Sequence, residues 1–162
     1  MNDEYYMREA IAEAMKAAEI GEVPIGAVVV RNGEVIARAH NERENGKDAT
    51  RHAEIIAIER ACAALKGWRL IGCDLYVTLE PCPMCAGACV NSRIVRVVYG
   101  APDLRAGAFG SVLNLNEYPL NHKPEIIGGI LADECLEPIR AFFKERRNKG
   151  KIGEDLEDAK KA

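Results

Sequence analysis

No stretch of this chain approaches the roughly 18 consecutive apolar residues that a membrane-spanning helix needs. The N-terminus, Met1-Asn2-Asp3-Glu4, begins acidic and lacks the basic start of a secretory leader. The expectation is a cytoplasmic protein with no membrane association and with reduced thiols. Internal repeats and low-complexity linkers are also missing. A single domain is therefore expected over residues 1–148, followed by a charged tail at 149–162 that frays. Positive charge is not in excess: 22 Lys plus Arg face 25 Asp plus Glu, a net −3. A protein that coats any polyanion usually carries a strongly basic balance, so that class is disfavoured.

What is present is an ordinary globular mixture, 48% hydrophobic and 29% charged. At 162 residues such a chain buries about two thirds of its unfolded surface. Six cysteines could form three disulfides in an oxidising compartment, but nothing in the sequence leads to one. Cys62, Cys73 and Cys135 sit among apolar neighbours and read as small buried hydrophobes. Cys82, Cys85 and Cys89 crowd together, which in a reduced protein points to metal or redox chemistry.

Met7, Ala10, Ile11, Ala14, Met15 and Ala18 recur at helical spacing, with Asp3 as the N-cap and Gly21 as the stop. The β-rich run from Pro24 to Val30 is joined by Asn32-Gly33 to a returning strand, Val35 to His40. Polar residues 42–51 form a loop, and a helix runs from Ala53 to Lys66. A strand at Asp74–Leu79, a helix at Pro81–Asn91 and a strand at Ile94–Tyr99 follow. The stretch from Gly100 to Pro124 has little periodicity, and such long loops inside compact domains are usually functional. A short strand at Ile126–Gly128 and an amphipathic helix at Leu131–Arg147 complete the order. Strands alternating with helices predict an α/β fold: a three-layer α/β/α sandwich with a five-stranded mixed sheet.

The chemistry converges on His52-Ala53-Glu54 and Pro81-Cys82-Pro83-Met84-Cys85, each opening a helix directly after a loop. Cys82 and Cys85 share one helix face, and Pro83 suits a first-turn position. Thiolates at a helix N-terminus are stabilised by unpaired N–H groups and the helix dipole. His52 supplies a third ligand if the site lies off the helix ends. Three protein ligands leave a tetrahedral zinc one open position, the pattern of a catalytic site. Water bound there loses a proton near neutrality, and Glu54 is placed to carry that proton. Cys89 is either a fourth ligand, closing the site, or packing one helical turn deeper.

These residues match the His-x-Glu … Pro-Cys-x-x-Cys signature of zinc-dependent nucleobase deaminases. The wider chain resembles the bacterial tRNA-specific adenosine deaminases of the cytidine/deoxycytidylate deaminase superfamily. The resemblance runs over about residues 5–148, through Glu22–Val28, Tyr76–Cys82, Ser92-Arg93-Ile94, Asn121-His122 and Gly129-Ile130-Leu131. It implies a cytidine deaminase-like fold and one zinc ion on His52, Cys82 and Cys85. It also implies attack of zinc-activated water on adenine C6, with Glu54 as proton shuttle and ammonia released. The product is inosine at the first anticodon position. A homodimer holding the tRNA anticodon stem-loop is implied as well. Asn41 matches a position that contacts the flipped nucleoside; its plain reading is a residue that ends a strand. The chain departs from the pattern at Arg51 and Pro102, both on the expected RNA path.

Asp103, an acid between Pro102 and Arg105 in the long loop, suits a hydrogen bond from a ribose 2′-OH, or else is a solvated turn residue. Phe143 is a candidate to brace the RNA, although Phe142 and Phe143 each read as core. Arg146, with Arg140, Lys144, Arg147, Lys149 and Lys151, is a candidate phosphate contact or a solvated helix face. Arg140 to Lys151 carries a local +5, against −8 for the rest, which suits recognition of one folded RNA loop. The competing functions are a free nucleobase or nucleoside deaminase, a thiol–disulfide protein using Cys82 and Cys85, and a non-catalytic RNA-binding module with a structural zinc.

Overall fold

The structure, a computed structural model, describes the backbone of residues 2–161 and the side chains of residues 2–150. Helix α1 (Asp3–Glu19) starts one residue earlier than expected, because the Asn2 side chain accepts the N–H of Tyr5 and is the cap. Asp3 is committed elsewhere. Its carboxylate accepts from Tyr76 Oη at 2.7 Å and from Arg96 Nη2 at 2.8 Å, which pairs a buried guanidinium. Strands β1 (Gly26–Arg31) and β2 (Glu34–His40) form the expected hairpin. Asn32 and Gly33 both take positive φ at its turn, as a type I′ connection requires.

Helix α2 (Ala53–Leu65) ends where Lys66 turns left-handed and the Gly67 N–H bonds back to Cys62 O. Strand β3 (Cys73–Leu79) leads into α3 (Pro83–Asn91), with Pro83 in the first turn as the sequence implied. Strand β4 (Arg96–Ala101) starts two residues later than expected. Arg93 takes a positive φ after α3, and Ile94 N still bonds to Cys89 O. A short β5 (Glu125–Ile127) precedes α4 (Ala132–Lys161). The backbone of α4 runs through the tail expected to fray after Lys149; the Lys151 side chain lies outside the described residues.

The five strands form one sheet in the order β2-β1-β3-β4-β5. β1 pairs antiparallel with β2 and β3, while β3–β4 and β4–β5 pair parallel, giving the mixed sheet. Alternation along the strands supplies both layers. Ala27, Val29, Leu75, Val77 and Val97 face α2 and α3, and Val28, Val30, Tyr76 and Val98 face α1 and α4. Each fully buried Val, Leu or Ile contributes about 1.5–3 kcal/mol, so both faces hold the sandwich. All six cysteines are free thiols, and Cys73, Cys89 and Cys135 are buried.

One end of this sheet sets the site. The C-terminal ends of β2, β3 and β4 and the N-terminal end of β1 meet there, in the place where open α/β sheets usually hold ligands. The N-termini of α2 and α3 open at the same end, beside the start of the long loop.

Candidate active site

His52 is the N-cap of α2 and Cys82 the N-cap of α3, and neither side chain caps its own helix. Both are therefore free to point off the helix ends. His52 Nδ1 lies 3.7 Å from Cys82 Sγ and 3.6 Å from Cys85 Sγ. The three ligand atoms all lie within 4.8 Å of one another, and among the described residues they are the group able to hold a metal ion. Tetrahedral zinc, with Zn–N of about 2.0 Å and Zn–S of about 2.3 Å, places neighbouring ligand atoms about 3.6–3.8 Å apart. Both His52–sulfur distances match that spacing, so the three residues fit the ion.

Its electrostatics suit a cation. A hydrogen bond from Cys85 draws the Cys82 thiol down to about 4, with His52 adding to the effect. Cys85 is pushed the opposite way, first by donating to Cys82 and then by burial. Hydrogen bonding to Cys82 raises the His52 imidazole. One thiolate is thus in ligand form before any ion binds, and a cation would draw the second proton off. Glu54 is 4% exposed, and burial raises its carboxyl to about 7, high enough to hold or release a proton near neutrality. Cys89 does not join the ligand group. It is fully buried in the core under α2 and α3, as its packing reading required.

The start of α2 borrows its cap from the end of the strand it packs against. Asn41, 7% exposed at the end of β2, accepts the Ala53 N–H through Oδ1 at 2.9 Å. Among the described residues its Nδ2 finds no protein acceptor, and Asn41 lines the cleft. Asn41 is thus more than a strand-ending turn residue: it fixes the helix that carries His52 and Glu54, and it has a donor to spare.

His52, Glu54 and Cys82 open into a cleft of about 850 Å³. Asp103 lines it, with one carboxylate oxygen spent on the Arg105 and Ala106 N–H groups at 3.0 and 3.3 Å. The turn reading of Asp103 is therefore real, and its other oxygen is left for a ligand. Phe143 also lines the cleft and is 41% exposed, which corrects its expectation as core; Phe142 is the half-buried one of the pair. Arg146 turns away and stacks over Phe142 at 4.9 Å. Arg140 and Arg147 line the cleft instead, and Lys149 pairs with Glu145 at 3.0 Å. Helical rotation decides this: residues 140, 143 and 147 share one face, and 146 does not.

Arg43 and Arg105 complete a cationic rim that sequence reasoning did not pick out. Glu80 was also missed. It is 2% exposed, yet it accepts hydrogen bonds from residues 103, 109 and 111 of the long loop. An acid wedged between an apolar strand and Pro81-Cys82 is the signal that would have flagged it.

Residues 1–136 match the model of the MafB19-like deaminase family. A tRNA-specific adenosine deaminase of Bacillus subtilis is 57% identical over 150 residues, covering 92% of this chain and 93% of its own. A solved structure from work on A-to-I editing by tRNA:A34 deaminases at the wobble position is 47% identical, with a TM-score of 0.81. It covers 83% of this chain and 98% of its own. A guanine deaminase structure from Bacillus subtilis is 29% identical with a TM-score of 0.60, covering 89% of this chain and 95% of its own.

Proposed function

The chain belongs to the tRNA-specific adenosine deaminases, and from that membership we propose that its cleft converts adenosine to inosine at the wobble position of tRNA. The observation that carries the proposal is the convergence of His52, Cys82 and Cys85 at ligand spacing beside the buried carboxyl of Glu54. His52, Cys82 and Cys85 would hold one zinc ion. When bound, zinc supplies a Lewis acid that brings the pKa of a coordinated water towards neutrality.

The chain's own residues do the rest. Glu54 carries the two protons of the attacking water in turn, the first to the purine ring nitrogen and the second to the amine that leaves C6 as ammonia. Adenosine plus water thus yields inosine plus ammonia. Asn41 offers its free amide donor to the flipped nucleoside, which must leave its stack to reach so deep a site. Asp103 presents a carboxylate oxygen to a ribose 2′-OH. Arg43, Arg105, Arg140 and Arg147 track the phosphates around the rim, and Phe143 braces the RNA; Arg146 supports that face by stacking on Phe142. The cationic rim favours an RNA loop over a free nucleobase, which carries no phosphate to meet it.

The enzyme is read as a cytoplasmic homodimer. No helix is long and apolar enough to cross a membrane, a statement that covers the described residues. Val112 and Tyr118 are each 54% exposed on the loop that follows β4, apolar surface that a second copy of the chain would cover. The direct test incubates the zinc-loaded protein with unmodified tRNA species one at a time and sequences for adenosine-to-inosine change. Free adenosine, cytidine and guanine serve as competing substrates. Conversion of a free base with no change in any tRNA would overturn the proposal.

A further inference from the structure

Glu80 ends the β3 connection two residues before the metal ligand Cys82, and its carboxylate is almost wholly buried. Oε1 accepts from the Asp103 N–H at 3.2 Å and from the Ser111 hydroxyl. Oε2 accepts from the Phe109 and Ser111 N–H groups at 3.1 and 3.2 Å. The main chain adds two more ties: Glu80 N donates to Ala101 O and Pro81 O accepts from Ala108 N, both at 2.9 Å. A Cβ on residue 107 would overlap the Glu80 carboxylate, so Gly107 is what lets the loop close over it. The segment from Ala101 to Ser111 is thus spoked onto the dipeptide that delivers Cys82. Its Pro102–Ala106 portion forms one wall of the cleft.

We propose that Glu80 is a positioning residue for RNA recognition, which holds the Pro102–Ala106 wall in fixed register with Cys82 so that the substrate meets a preformed cleft. The inference rests on the reading that this cleft receives the anticodon loop. The donor set makes the acceptor requirement strict. Three of the four donors are backbone N–H groups, which cannot reverse, and burial makes an unanswered one costly. Preorganising a binding wall reduces the ordering that binding must otherwise impose.

Glu80→Gln tests the inference without changing shape. The new –NH₂ settles at the Oε1 position, because the Ser111 hydroxyl can turn to accept there. At the Oε2 position it would face two backbone N–H groups. The lesion is therefore confined to the Asp103 N–H. Zinc content should stay at about one per chain. Exchange of the Asp103 amide, read by NMR, should speed by about ten-fold or more while the Phe109 and Ser111 amides stay protected. The KM for an anticodon stem-loop should rise by about ten-fold with kcat within about three-fold of wild type. Ser111→Ala keeps the carboxylate and removes one donor, so its KM should rise less. An Asp103 amide as protected as in wild type overturns the proposal. So does a general loss of protection with kcat lowered and KM unchanged, the signature of a merely structural acid. A wild-type enzyme that leaves the hairpin unchanged would overturn the function reading instead, and the exchange pattern would still decide the role of Glu80.

Discussion

Asn41 performs two separable tasks, and a pair of substitutions pulls them apart. Its Oδ1 is the acceptor for the first free N–H of α2, because His52 at the cap position contributes no side-chain bond to the helix. Asn41→Ala removes that acceptor in a site only 7% exposed, so water cannot fully replace it. Loss of a cap costs about 1 kcal/mol, and a buried amide left without a partner about 1–3. The expected destabilisation is about 1–2 kcal/mol, or a fall in Tm of roughly 2–8 °C for a domain of this size. Asn41→Asp keeps an oxygen for the Ala53 N–H and places its charge at the positive end of the helix dipole. Its Tm should stay within about 2 °C of wild type. The Nδ2 donor is lost in both variants, so both should lose about ten-fold or more in kcat/KM on an anticodon stem-loop. Thermal melts at fixed zinc and steady-state inosine formation read the two effects separately. An Asn41→Asp enzyme with wild-type kcat/KM would refute the substrate donor, and an Asn41→Ala melt at the wild-type Tm would refute the cap.

Glu54→Gln preserves shape and the ligand set, so zinc content should hold while kcat falls by about 10²–10⁴; activity within a few-fold of wild type would remove Glu54 from proton transfer. Gly26→Ala should destabilise by about 1–3 kcal/mol or more in denaturant melts, because the new Cβ overlaps the Ala10 carbonyl oxygen and Ala14 nitrogen of α1. An unchanged midpoint would contradict the close approach of α1 to β1. Asp103→Ala should narrow the preference for an RNA hairpin over its DNA counterpart, and an unchanged ratio sinks the 2′-OH contact. Removing Arg140 and Arg147 together should lower the slope of log affinity against log salt by about 0.7 for each phosphate no longer neutralised, whereas Arg146→Ala should leave it nearly unchanged.

The elements were legible because they are local. Asn32-Gly33 sets its own turn, Pro83 fits a first helical turn wherever the helix lies, and strand alternation names two faces without naming what covers them. The ligand set was legible for a related reason. Cys82 and Cys85 are three residues apart on one helix, and His52 and Glu54 flank another helix start. Resemblance then supplied the substrate. Where local reading failed, a distant partner had overridden it. Asp3 is drawn from capping by Arg96, and the cap passes to Asn2. Phe143 faces the cleft rather than the core, and Arg146 stacks on Phe142 rather than lining the cleft, because the rotation of α4 against the sheet is set by packing, which residue type does not reveal.

Sequence by itself determined the periodicities, the turn chemistry and the donor atoms, since each depends on neighbours within a few residues. Tertiary structure alone decided that His52 Nδ1 stands 3.6 Å from Cys85 Sγ and that Asn41 caps a helix twelve residues away. It also decided that Glu80 gathers donors from residues 23 to 31 positions further on. Such meetings depend on the strand order and on how helices lie across the sheet. Those are fixed by the packing of the whole core, and no short window of sequence contains them.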